Sequence, residues 1–190
     1  MARWSAIALT VVCALDGCSA RTPTAGDPSF ASLNAGDQPL RDAFNRERSK
    51  VRVVMLVSPT CPVCLYGVSE IEHSLFAADK SAKLAGLVVW VPMLGGTARN
   101  VPEAATLAAD ARVSHYWDGD NDLGVAYERL LPTRGTIAWD VYMLYEPGIT
   151  WSGTSPPRPT FWMHQLAITN APRLDAALFA ARARRLIFIR

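Results

Sequence analysis

Cys61-Pro62-Val63-Cys64 sets two thiols three positions apart, close enough for one turn of helix to bring them together. Upstream, Val51-Arg52-Val53-Val54-Met55-Leu56-Val57 is a nearly continuous apolar, β-branched run, the pattern of a buried central strand. Downstream, helical spacing continues from Leu65 toward Ala78. Strand, short loop, CxxC and helix is the context in which this tetrapeptide performs dithiol–disulfide exchange. The first cysteine then sits where a helix begins, beside unpaired backbone N–H groups and the positive end of the helix dipole. Both favour the thiolate, which is the attacking species. The second cysteine lies one turn further in and can resolve a mixed disulfide. The expectation is an exposed nucleophile at Cys61 and a shielded partner at Cys64.

Two plainer readings compete. The pair can be a structural disulfide, or half of a metal site. Zinc usually takes four ligands, yet the chain has no second CxxC and no HxxxH, only His73, His115 and His164 widely scattered. His115-Tyr116-Trp117 ends a short strand and reads as core packing; a ligand or proton-carrier role for His115 would need the insertion to fold over the CxxC. Asp118-Gly119-Asp120-Asn121-Asp122 suggests calcium, but Leu123 and Arg129 stand where an EF-hand needs Gly and Glu. It reads as a polar loop capping the next helix. Neither a nucleophile elbow nor a phosphate-binding glycine loop occurs.

The whole chain frames this chemistry. Its 190 residues make one domain plus extensions, and a formal net charge of +2 argues against a nucleic-acid partner. The C-terminal cluster Arg173, Arg182, Arg184, Arg185 and Arg190 reads as a solvated helix face. Arg3 followed by the apolar stretch 4–15 reads as an export signal, too short to span a membrane comfortably. Leu15-Asp16-Gly17-Cys18 resembles a bacterial lipoprotein signal, which makes Cys18 the lipidation site and the bacterial periplasm or cell envelope the location. Cys13 would be removed, leaving Cys61 and Cys64 as the only cysteines of the folded part. Residues 1–18 are thus assigned to the signal, 19–36 to a flexible tether rich in Ser, Thr, Pro, Ala and Gly, and 37–190 to the folded domain.

Along that domain, a helix capped by Asp37 with Leu40 and Phe44 on one face precedes the 51–57 strand. In the helix after Cys61, positions 64, 68, 71 and 75 share an inward face, while Glu70 and His73 point outward. A strand at 87–93, a helix around 102–111 and a strand at 113–117 follow. Leu123, Ala126, Tyr127 and Leu130 form a helical stripe capped by Asp120 or Asn121. A strand at 139–145 turns through Glu146-Pro147-Gly148 into a partner at 149–151. After a proline-rich loop at 152–159, Phe161-Trp162-Met163-His164 reads as a clamp on the last helix. That helix, 172–185, is expected to turn Leu174, Ala177, Leu178 and Ala181 inward.

This order resembles the thioredoxin-like superfamily over roughly 37–185. The fold it implies is α/β: a central mixed sheet flanked by helices, with a helix–strand insertion after the CxxC βαβ unit. The likeness is to the exported, membrane-tethered reductase branch that serves cytochrome maturation. In that branch an inserted segment carries a V…D…A…Y pattern, matched here by Val113, Asp118, Ala126 and Tyr127. The resemblance implies Cys61 as nucleophile and Cys64 as resolving cysteine. It also implies a thiol or disulfide protein substrate, a membrane electron donor or periplasmic oxidant as partner, and no organic cofactor. Three positions depart from the family, the first being Thr60, where relatives usually carry Trp or Ala before the first cysteine. The strand before the CxxC lacks the buried acid that many relatives carry. Where they place a cis-proline facing the CxxC, the register from the 146–148 turn puts Asp140, the nearest upstream proline being Pro132. Asp140 is therefore expected beside the pair, accepting the proton of Cys64; otherwise it merely closes the 135–138 loop. A second function, copper binding or metallochaperone activity, is implied by a related branch that uses two cysteines and a distant histidine. That branch separates its cysteines by three residues, not two.

Overall fold

A computed structural model describes residues 29–33 and 36–188. The export signal, Cys18 and most of the tether lie outside these residues. Among them, no helix is long and apolar enough to cross a membrane.

The fold is built outward from β2 (Val51–Val57), all seven residues of which are buried. β3 (Leu84–Trp90) pairs with it in parallel and β5 (Val141–Tyr145) antiparallel. β4 (Val113–Trp117), β1 (Phe30–Ser32) and β6 (Phe161–His164) complete a six-stranded mixed sheet in the order β1-β4-β3-β2-β5-β6. Side chains alternate along β2. Val51, Val53, Met55 and Val57 join the core under α2 (Pro62–Ile71), α3 (Val101–Ala105) and α5 (Ala176–Ile187). Val54 and Leu56 face α1 (Gln38–Arg46) and α4 (Asp122–Glu128). Helices on both faces explain why β2 and β3 read as unbroken apolar runs. This is the thioredoxin-like α/β arrangement the sequence implies, with α3 and β4 as the insertion after the CxxC unit.

The second position of β2 is an exception to its apolar character. Arg52 is fully buried among the α1-side residues. Its guanidinium lies 4.4 Å from the Phe44 ring centroid. It donates to the carbonyls of Ile149 (2.7 Å), Phe44 and Glu146. One side chain thus ties the end of α1 to the turn after β5.

The inward stripe of α2 is as expected: Cys64, Val68, Ile71 and Leu75 are buried, and His73 is exposed. The helix continues as a π-turn over Glu72–Ala77. Arg112 closes that turn, donating to the carbonyl of Phe76 in its last turn and to those of Asp79 and Ser81 in the loop beyond. Asp110 holds Arg112 in place at 2.7 Å, and that ion pair holds the Asp110 carboxyl down at about 2.

Several elements differ from the sequence reading. Phe30–Ser32, inside the stretch assigned to the tether, pairs in parallel with His115–Trp117, so the folded part begins before residue 37. β3 starts at Leu84, level with Val51, three residues earlier than expected. The helix expected at 102–111 is one short α-turn that tightens into a 3₁₀ turn at Thr106–Ala108. Asn121 stands at the N-cap of α4 without a side-chain cap bond, and Asp118 accepts from the N–H groups of Asp122 and Leu123 in its place. The antiparallel partner of β5 is β6, not 149–151. Residues 149–151 instead lie against α1, where Asn45 accepts from Trp151 N–H at 2.8 Å and donates to its carbonyl at 2.9 Å. α5 buries Phe179, Ala180, Ala183, Leu186 and Ile187, leaving Ala177, Leu178 and Ala181 exposed. Asp175 caps it, and the inward face begins with Phe179 against Phe161 of β6.

Candidate active site

β2 ends at Val57 and the chain turns through Ser58-Pro59-Thr60 into α2. Ser58 Oγ donates to the Met93 carbonyl at 2.6 Å, and Thr60 Oγ1 donates to the Leu94 carbonyl at 3.2 Å. The loop after β3 therefore fixes the approach to the first cysteine. Cys61 is the N-cap of α2, with extended backbone, and its Sγ accepts from the Cys64 N–H at 3.3 Å. That is the contact a thiolate needs at a helix start: a backbone donor that stabilises sulfur charge. Pro62 follows at the first helical position, where a missing N–H costs nothing.

Both cysteines are free thiols. The expected ordering holds, with Cys64 fully enclosed, but Cys61 is not the exposed residue anticipated: it retains only 4% of its accessible surface and joins the core cluster. The exposed residues of this helix start are neighbours of the sulfurs, Pro62, Val63 and Tyr66. A substrate must therefore settle onto this end of the helix to reach the sulfur.

Asp140 lies immediately before β5, buried, with φ +53°. Its carboxylate and the two sulfurs all lie within 4.8 Å of one another. The expected placement beside the CxxC is thus realised. The loop-closing alternative is not: Thr136 N–H donates to Thr133, and Ala138 N–H to Gly124. The Asp140 carboxylate instead accepts from Tyr142 Oη at 2.9 Å and lies within 4.8 Å of Cys64 Sγ. The described residues contain no cis peptide bond.

The electrostatics follow from this enclosure. Burial, and secondarily the Asp140 charge, push the Cys64 thiol far above the usual cysteine range. Burial also raises Asp140, against the opposing hydrogen bond from Tyr142. In the reduced protein burial keeps the proton on Cys64, beside the Asp140 carboxyl. The site holds a thiol, a carboxyl group and the Cys61 sulfur within 4.8 Å of one another, which is the grouping an intramolecular sulfur attack requires.

Tyr142 and Gln165 belong to this cluster and were not singled out from the sequence. Gln165 follows β6, and its backbone N–H donates to the Asp140 carbonyl at 3.1 Å. Its side-chain amide is satisfied only with the nitrogen turned inward, 3.1 Å from the Val63 carbonyl, 2.9 Å from Asp140 Oδ1 and 2.8 Å from Tyr142 Oη. A glycine in α2 makes room for this: a Cβ on Gly67 would meet Tyr142 Oη at 2.0 Å. A glycine inside an amphipathic helix is the one local signal of a close approach there.

No histidine joins the sulfurs among the described residues. His115 Nδ1 accepts from Trp90 Nε1 at 3.3 Å while Nε2 donates to the Ala108 carbonyl, and burial holds its pKa below the ordinary value. It is a packed core residue. His164 donates through Nε2 to the Ala171 carbonyl. The distant histidine of the copper alternative has no counterpart at this pair.

No family model matches the chain, and no curated protein matches it. Among solved structures it is similar to a secreted Mycobacterium tuberculosis disulfide oxidoreductase homologous to E. coli DsbE, at 13% identity over 86% of this chain and 99% of that one, TM-score 0.46. It is similar to MTB DsbF, determined in mixed oxidized and reduced forms, at 14% identity over 87% and 99%, TM-score 0.46. It is also similar to a thiol:disulfide interchange protein of the thioredoxin family from Chlorobium tepidum, at 13% identity over 88% and 99%, TM-score 0.48.

Proposed function

We propose that this chain is an extracytoplasmic thiol–disulfide oxidoreductase of the membrane-tethered reductase type. The observation that carries the reading is the meeting of two sulfurs and a buried carboxylate within 4.8 Å at the start of α2. Cys61 thiolate attacks a substrate disulfide, forming a mixed disulfide and expelling one substrate thiolate. Cys64 passes its proton to Asp140 and attacks Cys61 Sγ. The Cys61–Cys64 bond forms, the mixed disulfide breaks, and the second substrate sulfur leaves and is protonated. Two electrons pass from the dithiol to the substrate. A membrane electron donor returns the pair to the thiol form; a periplasmic oxidant would drive the same steps in reverse.

The carboxylate also bears on direction. A negative charge beside the sulfurs disfavours thiolate, and the strong oxidants of this chemistry are those whose reduced form is stabilised. Titration of the purified domain in graded thiol–disulfide buffers, read by alkylation and mass, is expected to show a single two-electron transition. Its midpoint should fall toward the roughly −270 mV of a reductant and away from the roughly −120 mV of an oxidant. Absence of any reversible transition would remove the function; a midpoint at the oxidising end would reverse its direction.

The location rests on Cys18. Lipidation there would place the domain on a membrane surface in an oxidising compartment. Mass spectrometry of the mature protein is expected to find an N-terminal, lipid-modified Cys18. An intact Met1, or cleavage elsewhere without lipid, excludes the anchor.

A further inference from the structure

We propose that Tyr142 and Gln165 are positioning residues that lock the Asp140 carboxylate against the Cys64 thiol and set the pH at which Cys64 becomes free to resolve the mixed disulfide. The inference rests on Asp140 being the proton acceptor.

The geometry singles these two side chains out. Both reach the same carboxylate oxygen: Tyr142 Oη donates to Asp140 Oδ1 at 2.9 Å, and the Gln165 amide nitrogen lies 2.9 Å from it. Gln165 also reaches the Val63 carbonyl, inside the CxxC itself, at 3.1 Å. One amide therefore ties the loop that carries the sulfurs to the residue that takes the proton. Tyr142 is enclosed in the core, where its hydroxyl has no water to turn to. Gly67 admits that hydroxyl where any other residue would collide. Asp140 stands in a left-handed backbone conformation, so its carboxylate would not be aimed by strand geometry alone.

The proton balance gives these hydrogen bonds a measurable consequence. In the resolving step the Cys64 S–H proton moves to Asp140, the freed thiolate displaces the substrate sulfur from Cys61, and the Asp140 acid returns the proton to the departing thiolate or to solvent. Asp140 must be ionised to start, so resolution switches on as pH rises through the titration of the Asp140–Cys64 pair. Donors on Oδ1 favour the carboxylate over the acid. Without them the carboxyl is more basic and the switch moves to higher pH. The other groups facing Asp140 are Cys61 at the start of α2, His164 at the end of β6 and Arg173 beyond that strand; the last two add a weaker pull in the same direction as Tyr142. They are unchanged in the variants below.

The test uses the reduced protein and the chromogenic disulfide 5,5′-dithiobis(2-nitrobenzoate) in stopped flow. Attack by Cys61 releases one thionitrobenzoate, and resolution by Cys64 releases the second. Tyr142→Phe and Gln165→Met each keep the bulk of the side chain and remove a donor. The apparent pH midpoint of the second release is expected to rise by about one pH unit in each variant, the shift one charge-assisted hydrogen bond supplies. At high pH the rate should recover to within a few-fold of the parent. A uniformly lower second-phase rate with an unmoved midpoint would show a merely structural role and overturn the inference. Asp140→Asn separates this from the underlying reading. If it loses the pH step while both variants keep the parent midpoint, only the inference fails. If it retains the parent midpoint, Asp140 is not the acceptor and both fail.

Discussion

Replacing Cys64 with serine is expected to halt exchange at the mixed disulfide, with the substrate bound through Cys61. Cys61 keeps its place at the helix start, so the first attack proceeds. Its N–H donor is the backbone of residue 64, which the substitution retains. The second attack loses its nucleophile. A well-oriented intramolecular group acts at an effective concentration of about 10⁵–10⁸ M, so millimolar external thiol cannot replace it. The trapped species should accumulate as a stoichiometric adduct by non-reducing electrophoresis and intact mass. Cys61→Ser should give no adduct, because Cys64 is fully buried and its thiol is held protonated by burial and by Asp140. An adduct through Cys64, or continued turnover without it, would reverse the roles.

The largest effect on stability is expected away from the chemistry, at Arg52. Its guanidinium is pulled down to about 10 by burial, yet remains charged at neutral pH. No carboxylate neutralises it among its hydrogen-bond partners, which are the carbonyls of Phe44, Glu146 and Ile149, with the Phe44 ring beneath. Arg52→Ala leaves these carbonyls without their donor and opens a cavity between β2 and α1. An unsatisfied buried group costs about 1–3 kcal/mol, and cavity formation adds to it. A loss of at least about 3 kcal/mol is expected, which for a domain of this size lowers Tm by roughly 6–12 °C. Urea unfolding at equilibrium measures it; a loss below about 1 kcal/mol would mean that water or a rearranged α1 replaces the guanidinium.

The parts of this molecule that were legible in sequence are those whose signal is local. Cys61 and Cys64 are separated by one helical turn, and β2 announces itself by seven residues of unbroken pattern. Asp140 is legible by register alone, counted back from the turn at 146–148, because β5 is a regular strand from Val141 to Tyr145. The failures are non-local. Ile149-Thr150-Trp151 has good strand composition and sits beside a turn, but Arg52 and Asn45, about a hundred positions away, take its backbone groups. The true partner of β5 lies beyond a proline-rich loop that periodicity cannot cross. In α5 apolar residues occur on more than one side, and only the position of Phe161 decides which side turns inward. β1 is three residues long in a segment of tether composition, and an edge strand that short has no periodicity to read. Gln165 has no local signature at all; its role exists only where β6 returns beside Asp140.

The left-handed backbone at Asp140 has a consequence for which sequences can occupy this site. Proline is locked near φ −65°, whereas residue 140 stands at +53°. The proline that the resembling family places before this strand is therefore not one substitution away. Exchanging the two would require the peptide to turn over, and with it the carbonyl that Gln165 holds at 3.1 Å. Asparagine and glycine are the neighbours that tolerate such a conformation. A lineage carrying aspartate here can drift to Asn or Gly and keep its backbone, losing only the acid. It is separated from the proline form by a barrier in conformation and not merely in composition.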